Sequence, residues 1–314
     1  MLIRRIPLLA LVLVALAATP AHASFHAMQI EQAIGGVQGD VTVQAIQLRM
    51  RSATQNFVTQ GRLIARDAAG LNPVTVVDMT TDVANGAAGS RILIASSAFL
   101  TYLPAVTPDF VMTNVIPASY LAAGTLTWES DTGLVQWRLS WGGASYTGSG
   151  TGAITNDADG NFNPPFAGPL PSVSSQVLLF GFAASALSTN NANDYALTSG
   201  AVAFVNNAGA SGNIDADADG VANVTDNCTL VSNPTQLDAD GDGYGNICDG
   251  DINNSGTVTS ADFGLLRSVL GQAAGFSATA AASDMNGSGT VTAADFGLLR
   301  GRLGTVPGPS GLHP

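Results

Sequence analysis

Lysine is absent from this chain, glutamate occurs only as Glu31 and Glu129, and histidine only as His22, His26 and His313. Each shortage closes a route. Eleven arginines against 23 acidic residues leave a net charge of −12 and no basic stripe to hold phosphates, which argues against a nucleic-acid partner. His26 and His313 stand near opposite ends, so a Ser-His-Asp arrangement or a His-ligated zinc has little to build on. Two glutamates and scattered aspartates single out no carboxylate pair for glycoside hydrolysis. After residues 6–18 no segment approaches the roughly 20 apolar residues that a membrane span requires.

What that first apolar run does have is the form of a secretory signal. Arg4 and Arg5 precede it, and Ala21-His22-Ala23 follows as a small-x-small cleavage pattern. Removal of residues 1–23 is expected, giving a secreted chain that begins near Ser24 and carries two fewer arginines, hence a charge of −14.

Residues 24–205 read as a mainly β domain. Short apolar or alternating runs at 28–30, 45–48, 63–65, 74–79, 92–94, 126–128, 135–141 and 177–182 are separated by Gly, Asn, Asp, Ser and Pro, the pattern of an antiparallel sandwich. The clearest alternation puts Val135, Trp137, Leu139 and Trp141 on one face. Trp128, Trp137 and Trp141 are expected in the core, the competing reading being a sugar-stacking platform. Asn156-Asp157-x-Asp159-Gly160 is read as a hairpin turn rather than a cation loop. The segments Ala45-Ile46-Gln47-Leu48-Arg49, 89–96 and 125–142 resemble a lamin-tail-like domain, which implies an immunoglobulin-like antiparallel sandwich often attached to secreted bacterial proteins. Residues 206–213, rich in Asn, Gly, Ala and Ser, are expected to be a flexible linker.

The acidic residues are not spread evenly. Twelve aspartates lie between Asp215 and Asp295 with no glutamate and one arginine, spaced by Gly and Asn in a way that suggests cation ligation. Residues 251–271 and 284–304 are identical at 16 of 21 positions. Each copy begins D-x-N-x-S-G-T-V-T-x-A-D. Loop positions one, three, five, seven and twelve are therefore Asp251, Asn253, Ser255, Thr257 and Asp262 in the first copy, and Asp284, Asn286, Ser288, Thr290 and Asp295 in the second. Calcium takes six to eight hard oxygens, and a twelve-residue loop supplies them from those positions, with Gly256 and Gly289 at the sharp turn of position six. After each loop Phe263, Leu266 and Leu270, or Phe296, Leu299 and Leu303, form one stripe of a short helix. Neither copy is large enough to fold alone, so the two stripes are expected to bury each other.

Residues 250–304 thus resemble a type I dockerin, two calcium loops each followed by a helix. The resemblance implies docking onto a cohesin domain through Ser260, Ala261, Leu266 and Arg267 and, in the second copy, Ala293, Ala294, Leu299 and Arg300. Arg267 and Arg300 read equally well as solvated helix residues. Serine at position five leaves two carboxylates per loop, which places affinity near the extracellular range of roughly 10⁻⁴ M.

Upstream, Asp215, Asp217 and Asp219 before Gly220, then Asp226 and Cys228, Asn233-Pro234, Asp238, Asp240 and Asp242 before Gly243, and Cys248-Asp249 resemble a thrombospondin type 3 repeat over 214–249. That family winds an irregular chain around calcium and staples it with a disulfide; Asn223 and Asn246 stand where it often has Asp. Cys228 and Cys248, the only cysteines, are expected to pair in an exported chain, stabilising it by roughly 3 kcal/mol. Residues 305–314 are expected to be a disordered tail. The sum is a secreted, calcium-binding, non-catalytic binding or structural protein. The alternative is a polysaccharide-degrading enzyme or glycan-binding protein tethered by its dockerin-like module.

Overall fold

The computed structural model describes residues 25–103, 106–149, 164–188, 194–198, 203–217, 219–223 and 225–313. The expected signal, residues 1–23, and the turn at 156–160 lie outside the described residues.

Among the described residues, ten strands build the β domain: β1 (Met28–Ile34), β2 (Ala45–Met50), β3 (Gly61–Arg66), β4 (Val74–Asp78), β5 (Arg91–Ala95), β6 (Phe110–Val111), β7 (Gly124–Ser130), β8 (Val135–Trp141), β9 (Leu178–Phe180) and β10 (Tyr195–Leu197). They form a six-stranded sheet, β10-β9-β1-β2-β5-β6, and a four-stranded sheet, β4-β3-β7-β8. Pairing is antiparallel apart from β5 with β6. Each of the eight runs read from the sequence falls on a strand. Period-two alternation sends Ile46, Leu48 and Met50 of β2 and Trp137, Leu139 and Trp141 of β8 into a shared core between the sheets. All three tryptophans are fully buried, so the sugar-platform reading fails. Their ring N–H groups are satisfied inside: Trp128 donates to Phe25 O, Trp137 to the Tyr195 hydroxyl and Trp141 to Tyr120 O.

Gly61 on β3 is needed for space. A Cβ there would stand 2.2 Å from a ring carbon of Trp128. Gly61→Ala is expected to destabilise the β domain by about 1–3 kcal/mol through overpacking, measured as a lowered denaturation midpoint with altered near-UV circular dichroism.

The outer face of the six-stranded sheet is also covered. Ile34, Ala45, Leu93 and Ala95 pack under Phe99, Leu103, Phe204 and Ile214. Here the structure corrects the expected linker. β11 (Phe204–Val205) pairs with β12 (Ser211–Gly212) across a turn, and Asn206 and Asn207 between them are buried. The Asn207 amide donates to Asn85 O and Arg91 O, and Asn206 to Thr107 O. Polar side chains that suggest a solvated linker instead bond to distant backbone.

Residues 305–313 are corrected in the same way. Pro309 O accepts from Thr229 N, Gly311 N donates to Asp226 O, Ser310 Oγ donates to Gly243 O, and the His313 ring stacks on Tyr244 at 4.5 Å. The expected tail is packed on the aspartate segment. Among the described residues, no helix is long and apolar enough to cross a membrane.

Candidate metal centres

The second half of the chain holds four loops built alike. In each, an aspartate opens the loop and another closes it eleven residues later: Asp215 to Asp226, Asp238 to Asp249, Asp251 to Asp262 and Asp284 to Asp295. The eleven-residue offset is thus common to the aspartate segment and the duplicated module. Position six is Gly220, Gly243, Gly256 and Gly289, with φ of 94°, 90°, 90° and 88°, a left-handed turn that favours glycine. In every loop the amide of that glycine donates to Oδ2 of the opening aspartate. One local geometry therefore recurs four times.

In the third and fourth loops the closing aspartate has two tasks. Asp262 Oδ2 accepts from Thr259 N at 2.7 Å and Thr259 Oγ1 at 3.1 Å, completing a capping box on α1 (Ser260–Ser268), while its Oδ1 accepts from Asn253 N at 3.2 Å. Asp295 repeats this with Thr292 and Asn286 at the start of α3 (Ala293–Gly301). Both are fully buried, and Asp251 and Asp284 nearly so. Ser255 and Ser288 at position five donate to Asp251 and Asp284 and to the carbonyls of Thr257 and Thr290. The residues expected as ligands at positions one, three, five, seven and twelve are thus gathered in each loop.

The first two loops carry more charge. Single oxygens of Asp215, Asp217 and Asp219 lie within 4.8 Å of one another, as do those of Asp238, Asp240 and Asp242. Asp215 Oδ1, Asp217 Oδ2 and Asp226 Oδ2 are buried without a hydrogen-bond partner. Buried carboxylate oxygens without a donor are costly, and a cation held among them removes the cost. The electrostatics agree. Burial, then Asp219 and Asp226, push Asp217 up to about 6. Burial pushes Asp249 up to about 7, with Asp242, Asp240 and Asp251 adding to the rise against a backbone hydrogen bond from Asp251. Burial likewise raises Asp226 and Asp240. A donor set of carboxylate, amide, hydroxyl and carbonyl oxygens, without thiolate or imidazole, fits calcium.

Cys228 and Cys248 form the expected disulfide, fully buried, which ties the segment just after the first loop to position eleven of the second. The last two loops are locked by exchange. Gly271 N donates to Val291 O and Val291 N to Gln272 O; thirty-three residues on, Gly304 N donates to Val258 O and Val258 N to Thr305 O. The end of each helix closes the loop of the other copy, which is why the unit needs duplication. A third helix, α2 (Ala278–Ser283), not anticipated from the sequence, adds Ala280 to a core of Val258, Leu266, Val269, Met285, Val291 and Leu299.

That core corrects two expected partner contacts and both stripes. Leu266 and Leu299 are fully buried and unavailable to a partner. Both nine-residue helices end before Leu270 and Leu303, which are exposed, and Val269 turns inward where the stripe had placed Leu270. Phe263, partly buried against this core, and the exposed Phe296 meet edge to face at 5.1 Å. With Ser260, Arg267, Leu270 and Ala293 they line a groove of about 610 Å³. Ala261, Ala294 and Arg300 are exposed.

Comparison with known families follows this division. No curated protein matches the chain. Residues 237–248, which contain most of the second loop, fall between the two matched segments. Residues 209–236 match the thrombospondin type 3 repeat and residues 249–304 the dockerin type I domain, both calcium-binding modules, so the chain combines calcium binding with a docking module.

Proposed function

We propose that this is a secreted, non-catalytic binding or structural protein. Its lamin-tail-like β-sandwich is held on a calcium-organised segment, and its dockerin domain docks onto a cohesin-type protein domain. The groove across α1 and α3 carries this reading. It joins two aromatic rings, a leucine and a guanidinium on one surface of the helix pair. Aromatic residues and arginine are the usual energetic centres of protein interfaces.

The absence of catalysis is supported by the two glutamates. Glu31 is buried against Arg49 and Arg91, and Glu129 against Arg66 and Arg62. A glycan-binding role of the β domain has a specific surface in its favour. Phe25, His26, Phe57, Asp82, Asp131 and Leu134 line a groove of about 820 Å³ that combines apolar faces with carboxylates.

The test is calorimetry of the full chain against a panel of cohesin domains, with calcium and with chelator. Calcium-dependent binding is expected, and Phe263→Ala with Phe296→Ala is expected to weaken it about thirtyfold or more, the size of a hot-spot loss. Binding to no cohesin, or binding indifferent to both phenylalanines, defeats the docking reading. Turnover of a polysaccharide by the purified chain defeats the non-catalytic one.

A further inference from the structure

We propose that Asn246 couples the second calcium loop to the dockerin domain, so that an ion in the second loop tightens binding in the fourth. The idea rests on calcium occupying both loops.

Asn246 is position nine of the second loop, and its amide works in two directions. Its oxygen accepts from Ala239 N at 2.8 Å, which fixes the backbone next to Asp238, the opening ligand. Its nitrogen donates to Ala281 O at 2.8 Å and to Asp284 O at 3.2 Å. Ala281 lies in the last turn of α2, where carbonyls lack helical partners. Asp284 opens the fourth loop. One planar side chain therefore ties the start of the second loop to the start of the fourth.

Asn223 has the same place in the first loop and makes only half of this arrangement. Its oxygen accepts from Ala216 N at 2.7 Å, while its Nδ2 is buried without a partner among the described residues. The outward bonds belong to Asn246 alone of the two. Aspartate would serve the loop equally well as an acceptor, but it would turn an anionic oxygen toward two carbonyl oxygens. The amide is thus explained by its donor, and the donor is spent on the dockerin domain. A second strut runs beside it, from Arg302 Nε to Ile247 O at 3.0 Å. An ion that orders the second loop holds Asn246 still. The fourth loop then has less to order on binding, and linkage makes the effect reciprocal.

The test is a calcium titration of the full chain followed residue by residue by nitrogen-15 NMR. The amides of Gly243 and Gly289 donate to Asp238 and Asp284 and so report the second and fourth loops separately. Asn246→Asp is expected to raise the Gly289 midpoint about fivefold or more and, because the coupling is reciprocal, to raise the Gly243 midpoint with it. Asp238→Ala, which removes a ligand of the second loop and leaves Asn246 in place, is expected to raise the Gly289 midpoint similarly. A Gly289 midpoint unmoved by either substitution overturns the coupling. Movement with Asn246→Asp alone also overturns it, since the contact would then be a brace that transmits nothing. Failure of the calcium assignment itself looks different, with no loop glycine responding to the ion.

Discussion

Chelation of calcium is expected to unravel residues 214–313 and to leave the β-sandwich folded. The apolar core of the dockerin domain consists of seven buried side chains, and the first two loops have the disulfide and little apolar packing of their own. Such a unit is marginal without added ties. Each ion contributes about 2.7 kcal/mol when its concentration is a hundredfold above the dissociation constant. Four sites together rival the whole stability of a small domain. The main core between the sheets contains none of the expected ligands, so it should persist. The boundary is not sharp, because Ile214 belongs to the second cluster of the β domain and Asp215 N donates to Tyr102 O. Limited proteolysis and circular dichroism, with calcium and with chelator, provide the measurement. Cleavage is expected to begin beyond residue 214, with fragments cut between Cys228 and Cys248 staying joined until reduced. Equal protease resistance in both conditions would sink the calcium-dependent reading. The last two loops, with two carboxylates each against four in the first two, are expected to release their ions first.

Glu31→Ala is expected to lower the stability of the β domain by about 3 kcal/mol, the lower end of the cost of breaking a buried ion pair. Glu31 sits at a register shift of β1 against β2 and is 4 % exposed. Arg49 lies 2.8 Å from one of its oxygens, Arg91 bonds both at 2.7 and 2.9 Å, and the Gln47 amide donates at 2.7 Å. Removing the carboxylate leaves two guanidinium groups facing each other. The Arg91 side chain is 35 % exposed, so solvent relieves part of the penalty and the lower figure applies. For a domain of this size the loss corresponds to a fall of roughly 6–12 °C in the melting temperature. The same substitution tests the function, since both oxygens of Glu31 are already engaged. A variant that melted like the parent but lost activity on a polysaccharide would mark Glu31 as a catalytic group instead.

The legible and illegible parts of this chain differ in the range of the contacts behind them. Val135 to Trp141 could be placed because alternation along one strand already states which face is buried. The packing of residues 206–213 and 305–313 could not be read, because Asn207, Ser310 and His313 bond to backbone or stack on rings far away in sequence. Local composition contains no trace of those partners. Leu266 and Phe263 show the same limit on one helix. Helical spacing put both on a stripe, and only the position of the other copy and of α2 decided that leucine goes fully inside while Phe263 is left at the edge, partly buried against that core and against Phe296.

The sequence by itself determined the calcium loops and the duplicated module, because a twelve-residue loop carries its aspartates, its turning glycine and its capping residue within one short stretch. The tertiary structure alone decided that four loops share one geometry in one packed segment, that Asn246 bridges two of them, and which side chains of α1 and α3 are buried. Those outcomes depend on hydrogen bonds and packing between segments tens of residues apart, and no local pattern specifies where such segments meet.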